Sequence, residues 1–280
     1  MDDKGGIMDC KQGSRRFIVA LRALAYVIGF LPLFCLPAAA DEPQALEQAA
    51  NDPTASLLSV SLSNLYSGDY HNLDNGRGNT VQLRMSLPFK TGKLKHITRV
   101  TFPLITDSPS GKTGVGDMVV FDLVTFDQSW GRWGAGIVGS IPIAGDERLG
   151  SGKLGAGPAM GFVARNPGFL WGVFNQNVFS FAGDGDGDGD REDVRVSILQ
   201  PIVNISLPNK WSLGFSEMNF TYDWEKGDWS NLPLGIKVSK LVKLDQLPVT
   251  LSAGGEYNFQ DNYSGSEWTV NGTVKFLLPM

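Results

Sequence analysis

The sequence predicts an all-β fold, an antiparallel transmembrane β-barrel of about twelve strands that follows a short helical or irregular segment. Three observations support this fold class. Beyond residue 57, apolar and polar residues alternate with a period of two, as in strands with one apolar face. Aromatic residues gather at the predicted strand ends, as in the interfacial girdles of membrane barrels. A leader for export precedes both features.

The first 40 residues are typical of such a leader. Arg15 and Arg16 belong to a basic start, the stretch 23–37 is apolar, and the small residues Ala38–Ala40 follow. Small residues at this place are what a signal peptidase reads, so we expect cleavage and transfer to the bacterial outer membrane. An uncleaved anchor helix is the alternative, because the apolar run is just long enough to span a bilayer.

The mature chain divides into two parts. Residues 41–56 form an N-terminal segment, in which only 42–52 suggests a helical turn or two, and residues 57–280 form the barrel. The sequence leaves open whether the N-terminal segment lies in the periplasm or plugs the barrel. The predicted strands centre on 57–65, 80–88, 96–105, 116–126, 132–142, 154–165, 169–181, 193–206, 211–224, 232–241, 248–259 and 267–278.

The alternation of apolar and polar residues has two explanations. In a soluble β-protein the apolar face points inward, whereas in a membrane barrel it points to lipid and the polar face lines the lumen. The leader and the aromatic distribution favour the membrane barrel. After residue 40 no apolar run is long enough for a spanning helix. Strands that enter a membrane must close into a barrel, because unpaired backbone groups are costly in hydrocarbon.

The composition excludes several classes of function. Both cysteines, Cys10 and Cys35, lie in the leader, so the mature chain has no disulfide, thiol nucleophile or cysteine-based metal site. The net charge of −5 argues against a nucleic-acid partner. The expected partners are outer-membrane lipid, the barrel-assembly machinery during biogenesis and an unidentified small solute. No cofactor is expected.

Several short segments of the mature chain carry a resemblance to a known family. They are Asn51–Val60, Leu149–Ala159, Asn177–Asp184, Leu199–Ile202, Tyr222–Trp224, Leu232–Gly235, Pro248–Val249 and Phe276–Pro279. Through them the sequence resembles the bacterial neuromedin-U-like family of outer-membrane transporters, which is related to outer-membrane proteins of phenol-degradation pathways. The resemblance implies a barrel and transport, and its name implies no hormone activity. The Gly-Asp run after Gly183 is longer than the family's short turn.

Charged residues occur on the strand phase opposite the apolar stripes. If the stripes face lipid, these charges face the lumen, since an Arg or Lys at the lipid midplane costs on the order of 2–4 kcal/mol. Both signs are present, so the lumen is predicted to be either a salt-bridged interior or a mildly selective pore. The candidate lumen-lining residues are Arg84, Asp122, Arg195, Lys237, Glu256 and Lys275.

The run Gly183–Asp190 contains a partial calcium-loop pattern. Asp184, Asp186 and Asp188 have the alternate spacing of calcium ligands. The twelfth position is Arg195 rather than Glu, so the bidentate ligand is missing. We therefore expect a flexible acidic loop that binds divalent cations loosely at most.

The mature chain holds two histidines, which a lipid-hydrolysing barrel would need beside a nucleophile. His71 lies in a polar loop and His96 lies beside Lys95 at a strand start. Neither lies in a recognisable catalytic arrangement, so both are expected to be surface or rim residues.

The predicted function is a passive outer-membrane channel or transporter for small molecules, apolar ones included. A barrel of about twelve strands lies between filled eight-stranded barrels and open porins. The first alternative is a structural or surface-interaction barrel with a closed lumen. The second alternative is a barrel lipid hydrolase.

Overall fold

The computed structural model describes residues 46–183 and 191–278. The predicted leader and the candidate calcium ligands Asp184, Asp186 and Asp188 lie outside these residues. In the described part, a short helix α1 (Leu46–Asn51) precedes a continuous antiparallel sheet. No described helix is both long enough and apolar enough to cross a membrane.

The sheet is built from fifteen strand segments in chain order. They are β1 (Leu58–Tyr70), β2 (Gly78–Thr91), β3 (Leu94–Asp107), β4 (Gly114–Val115), β5 (Met118–Gln128), β6 (Gly131–Ile141), β7 (Lys153–Asn166), β8 (Phe169–Gly183), β9 (Arg195–Leu207), β10 (Trp211–Phe215), β11 (Phe220–Asp223), β12 (Asp228–Asn231), β13 (Pro233–Leu244), β14 (Leu247–Asn258) and β15 (Ser266–Leu278).

These segments close into a barrel with twelve wall positions. β4 only extends the pairing of β3, while β10 with β11 and β12 with β13 each share one position. The last strand pairs with the first, from Leu58 opposite Leu278 to Tyr70 opposite Ser266. Among the described strands, this closure leaves neither the first nor the last strand as an edge strand. The prediction of an all-β antiparallel barrel of about twelve strands is therefore confirmed.

The outward face of the barrel is apolar. In β2, Leu83, Met85 and Leu87 are 37%, 39% and 51% exposed, while Arg84 and Ser86 between them point inward. The same alternation places large apolar side chains on the outside of the other wall strands. A strand whose apolar residues face outward fits a hydrocarbon surrounding rather than water.

Aromatic side chains pair on the outward face near both ends of the barrel. One end carries the stacked pair Phe126–Trp133, with ring centroids 4.4 Å apart, and the opposite end carries Tyr66–Trp268 at 5.9 Å. Such rings at both rims are typical of the interfacial girdles of membrane barrels.

The two ends of the barrel differ in their connections. At one end, the turn end, strands are joined by connections of two or three residues such as 92–93, 167–168 and 208–210. At the other, the loop end, connections such as 71–77 and 142–152 are longer. This asymmetry is typical of outer-membrane barrels, which have short periplasmic turns and longer outer loops.

The loop 142–152 carries its own ion pair at the loop end. The Arg148 guanidinium donates a 3.0 Å hydrogen bond to Asp146 and lowers the pKa of that carboxyl to about 2. The loop therefore keeps this ion pair in moderately acidic medium.

One half of the barrel interior, formed by β5 to β9, is packed with apolar side chains. Phe121, Leu123, Val138, Phe174 and Val178 are all buried there in one cluster. The rings of Phe121 and Phe174 lie 5.3 Å apart. Both faces of these strands are consequently apolar, and this half of the interior is filled.

The wall is interrupted between β10 and β11. Residues 216–219 leave the ladder, and Met218 bonds back to the Ser216 carbonyl at 2.8 Å. The neighbouring strand β9 has Pro201 at this level, which has no N–H to donate. The excursion brings Glu217 to the cavities inside the barrel.

Candidate functional site

The N-terminal segment Leu46–Leu57, here called the plug segment, lies inside the barrel at the turn end. Gln48 Nε2 donates a 2.9 Å bond to the Asn166 carbonyl, at the β7–β8 turn. Ser206 Oγ donates to Glu47 at 2.6 Å. Helix α1 is thereby fixed against the inner ends of β7 to β9.

Basic side chains of the wall hold the rest of the plug segment. Arg165 forms a 2.8 Å ion pair with Asp52, whose side chain is fully buried. Arg132 donates to the Thr54 carbonyl, and Lys275 Nζ donates to the Ala50 carbonyl at 2.8 Å. Charge-assisted bonds are stronger than neutral ones, so the plug is fastened chiefly through cations of the wall.

An ion pair crosses the lumen above the plug. Arg84 of β2 donates two bonds to Glu217, at 2.5 and 2.8 Å, and a third to Gln82 at 2.9 Å. The bidentate geometry fixes both side chains. Glu217 nevertheless remains 50% exposed although it lies inside the barrel. The pair therefore stands in open space between opposite walls, and we call it the lumenal bridge.

Further cations surround the lumenal bridge. Arg99, Lys237 and Arg84 all interact electrostatically with Lys275. Among the residues that the structure describes, no carboxylate lies within 4.0 Å of the side-chain nitrogens of Arg99, Lys237 or Lys275. Four cations thus share the acidic residue Glu217 of the bridge, and this part of the lumen carries excess positive charge.

Asp52 also lines the plug-side cavity but pairs with Arg165, and the remaining carboxylate of the described cavities belongs to Glu256. It accepts a 2.9 Å bond from Ser216 Oγ rather than an ion pair. Glu256 lies on the loop-end side of the bridge, so it does not neutralise the cations that face the plug.

Two cavities adjoin the lumenal bridge. The loop-side cavity is lined by polar residues that include Gln82, Thr273 and Glu256. The plug-side cavity is lined by Arg99 and Asn204 together with apolar residues of the plug and wall. Arg84, Glu217, Lys237 and Lys275 line both cavities, so the bridge separates two parts of one lumen.

The structure brings together four of the six candidate lumen-lining residues. Arg84, Lys237, Glu256 and Lys275 all line the loop-side cavity. Sequence reasoning missed Arg99 and Glu217. Arg99 lies on the inward face of β3 together with the apolar Ile97 and Pro103. The sequence of β3 therefore shows no polar stripe that would identify this face. Glu217 lies where the alternation breaks, and that break was the available signal.

Asp122 does not line the lumen, which corrects the expectation. Its cross-strand partner Ile137 is 67% exposed on the outward face, and its sequence neighbours Phe121 and Leu123 are buried inside. Because both faces of β5 are apolar, the apolar stripe does not identify the lipid side. The sequence pattern therefore predicts the inward face for Asp122, whereas its side chain lies on the outward face of β5.

Asp122 instead belongs to a polar cluster on the outer wall, here called the outer cluster. His96 Nδ1 lies 2.8 Å from one carboxylate oxygen, and Thr98 Oγ1 donates to the other at 2.5 Å. Phe89 stacks on the His96 ring at 4.7 Å. The outer cluster satisfies the carboxylate within the wall, which reduces its cost in an apolar surrounding.

Arg195 also points away from the lumen, a second correction. It lies opposite Phe179 at the loop end of β9 and forms ion pairs with Glu225 at 2.9 Å and Asp193 at 3.5 Å. At the end of a strand the chain leaves the membrane region, so a charge there carries no information about the lumen.

The histidines do not form a hydrolytic site in the described part of the chain. His71 lies 2.8 Å from the Asn258 carbonyl and joins two connections at the loop end. His96 and Asp122 form an acid–base pair, but His96 Nε2 has no hydrogen-bond partner among the described residues. A nucleophilic hydroxyl bonded to this nitrogen is what acyl hydrolysis would require.

The described residues contain no group of three or more His, Cys, Asp or Glu side chains that could hold a metal ion. The Asp184, Asp186 and Asp188 hypothesis concerns residues outside the described ranges and stays a prediction.

Comparisons with known proteins place the fold among outer-membrane barrels. The structure is similar to the COG4313 outer membrane channel from Pseudomonas putida F1, with a TM-score of 0.60 at 13% identity over 81% of this chain and 99% of that one. This similarity shows the fold. No protein-family model matches the sequence, and no curated protein matches it.

Two further solved structures are more distant. Outer membrane phospholipase A from Escherichia coli gives a TM-score of 0.43 at 11% identity, over 79% of this chain and 92% of that one. The beta domain of the Bordetella autotransporter Brka gives 0.36 at 10% identity, over 79% of this chain and all of that one.

Proposed function

We propose that this protein is a passive outer-membrane channel for small solutes, exported with the help of a cleaved leader. The apolar outward face, the aromatic rims and the unequal ends support a position across the outer membrane. The turn end then faces the periplasm and the loop end faces the outside. Resemblance to the neuromedin-U-like family of transporters agrees with this proposal.

One observation favours the channel proposal over a closed structural barrel. The half of the interior opposite the apolar cluster is not filled, and cavities lie on both sides of the lumenal bridge. A barrel that served only as a scaffold would gain stability by filling this space with side chains. The exposed ionic bridge and the cavities instead provide a polar path that the bridge and plug restrict.

The solute passes three elements in sequence on the proposed path. From the loop end it meets Glu256 and Gln82, then the bridge between Arg84 and Glu217, then the plug segment. Excess positive charge at the bridge predicts preference for anions over cations. Outer-membrane lipid surrounds the wall, and the assembly machinery inserts it.

Conductance in planar bilayers tests the proposal, with Glu217→Gln as the decisive variant. Loss of the Glu217 charge leaves Arg84 without its carboxylate and makes the lumen more positive. We expect channels in the wild type, and in the variant a reversal potential in a salt gradient shifted further towards anion selectivity.

The matched control is Glu225→Gln, which removes the same charge from the loop end, where Glu225 pairs with Arg195. Its reversal potential should equal that of the wild type. A purified, folded barrel that conducts neither as wild type nor as Glu217→Gln is a closed barrel, and the channel proposal then fails.

The hydrolase alternative gains no support from the geometry. The outer cluster holds a histidine and a carboxylate but no hydroxyl on His96 Nε2 in the described chain. Thr98, the nearest hydroxyl in the cluster, donates to Asp122 instead.

A further inference from the structure

We infer that the plug-side cavity is a binding site for a small amphipathic carboxylate, an aromatic or short aliphatic acid. The inference rests on the proposed channel function and names the class of solute that the lumen takes. It is carried by three features of the cavity, namely cations that outnumber the nearby carboxylates, an unpartnered buried amide and an adjoining apolar wall.

The first feature is the charge balance around the cavity. Lys237 has no ion pair or hydrogen bond to any described side chain, although it lines the cavity. Arg99 makes only long bonds of 3.4 Å, to Ser86 and to the Pro53 carbonyl. Neither cation has a carboxylate within ion-pair distance in the described chain, and a mobile anion would complete them.

The second feature is Asn204 of β9. Its side chain is 3% exposed, and neither amide atom has a hydrogen-bond partner among the described residues. A buried amide left without partners costs free energy, so such groups are uncommon unless a ligand or water completes them. Asn204 lines the same cavity as Arg99 and Lys275, and its side-chain NH2 group is an unused donor for an anion bound there.

Arg84 adds a second unpartnered donor to this cavity. Its two terminal nitrogens bind Glu217 and Gln82, but the buried Nε has no partner in the described chain. The lumenal bridge therefore uses only part of the guanidinium. The remaining N–H adds to the donors that surround the cavity.

The third feature distinguishes an organic acid from an inorganic anion. Leu57 of the plug segment, Ile202 of β9 and Leu277 of β15 line the cavity beside the cations. Apolar walls stabilise an apolar ligand body by removing it from water. A ligand with a carboxylate at one end and an apolar group at the other matches both parts of the cavity, whereas phosphate or sulfate matches only one.

The direct test is calorimetric titration of the purified full-length barrel in detergent micelles with three probes. Benzoate carries both the anion and the apolar ring, benzamide is its uncharged counterpart, and inorganic phosphate has the charge without the ring. We expect benzoate to bind at least about tenfold more tightly than either of the others, because charge-assisted hydrogen bonds and ring burial each contribute that much.

Two variants of β13 locate the site. Lys237→Gln removes an inward cation, and Lys240→Gln removes an outward one that stacks on Trp211 at 4.8 Å. We expect Lys237→Gln to weaken benzoate binding about tenfold and Lys240→Gln to leave it unchanged. If Lys237→Gln does not fold, the comparison of probes on the wild type still decides the matter.

The outcomes separate this inference from the channel proposal. Bilayer conductance without measurable benzoate binding overturns the carboxylate site and leaves the channel standing. Benzamide or phosphate binding as tightly as benzoate also overturns it, and so does equal benzoate binding by the wild type and Lys237→Gln. Benzoate binding that Lys237→Gln weakens, in a barrel without conductance, supports the site while the channel proposal fails.

Discussion

The two halves of the barrel interior follow different rules although one wall encloses both. The half formed by β5 to β9 packs Phe121, Phe174 and their neighbours into an apolar cluster. The other half holds the lumenal bridge, Lys237 and Lys275 beside open cavities. Both halves present the same apolar face outward. The outward face thus suits a lipid surrounding along the whole wall, while the inward face forms a packed core in one half and lines cavities in the other.

The largest effect that this contrast predicts is on stability. Phe174→Ala removes a ring from the centre of the apolar cluster and should lower the free energy of unfolding by about 3–5 kcal/mol. Urea unfolding in lipid vesicles, followed by tryptophan fluorescence, measures it. Ion selectivity should stay close to that of the wild type because Phe174 lines neither bridge cavity.

The control for Phe174→Ala lies in the same strand. Phe181 is 67% exposed on the outward face of β8 near the loop end, so Phe181→Ala makes the same truncation without opening a cavity inside. We expect a clearly smaller loss of stability. Equal losses for the two variants would contradict the view that the β5–β9 half is a packed core.

The next effect concerns the attachment of the plug segment, which lies between the two halves. Arg165→Gln removes the cation from the buried Asp52 carboxylate and should weaken the attachment of the plug by about 1–3 kcal/mol. Backbone amides of residues 46–57 should then exchange hydrogen faster, as measured by mass spectrometry, and channel openings should become more frequent.

Arg77→Gln is the matched control, since Arg77 pairs with Asp107 at the loop end, 3.1 Å away, and does not touch the plug. Its amide exchange in residues 46–57 should equal that of the wild type. Unchanged exchange in Arg165→Gln would mean that the other wall contacts hold the plug on their own.

The same contrast explains how much the sequence could predict. Where inward residues are polar, as in β2 and β15, the alternation identifies both the strand and its lumen side, so it predicts lumenal positions for Arg84 and Lys275. Where inward residues are apolar, as in β5, a strand is still recognisable from its length and β-branched content. Which of its faces points to lipid is not recognisable, so the alternation predicts the wrong side for Asp122.

The lumenal bridge was beyond the reach of local pattern. Arg84 and Glu217 are separated by 133 positions in the chain, and only the closed wall brings them face to face. Glu217 also lies in residues 216–219, which leave the ladder and obey no strand period. A lone break in an otherwise regular alternation is the kind of signal that marks an inward excursion, but it does not name the partner.

The smallest expected effect is at the outer cluster, and it completes the contrast between charges inside and outside the wall. Asp122→Asn keeps an acceptor for Thr98 and the shape of the site but removes the charge from the outward face. Stability should change by no more than about 1 kcal/mol, because the weakened hydrogen bond to His96 is offset by a lower cost of facing lipid.

The reversal potential of Asp122→Asn in a salt gradient should match that of the wild type. Arg84→Leu removes a lumenal charge, so it should leave the barrel folded and shift the reversal potential. A selectivity change in Asp122→Asn as large as that in Arg84→Leu would show that Asp122 senses the ion path, and the assignment of its side chain to the outer wall would then be wrong.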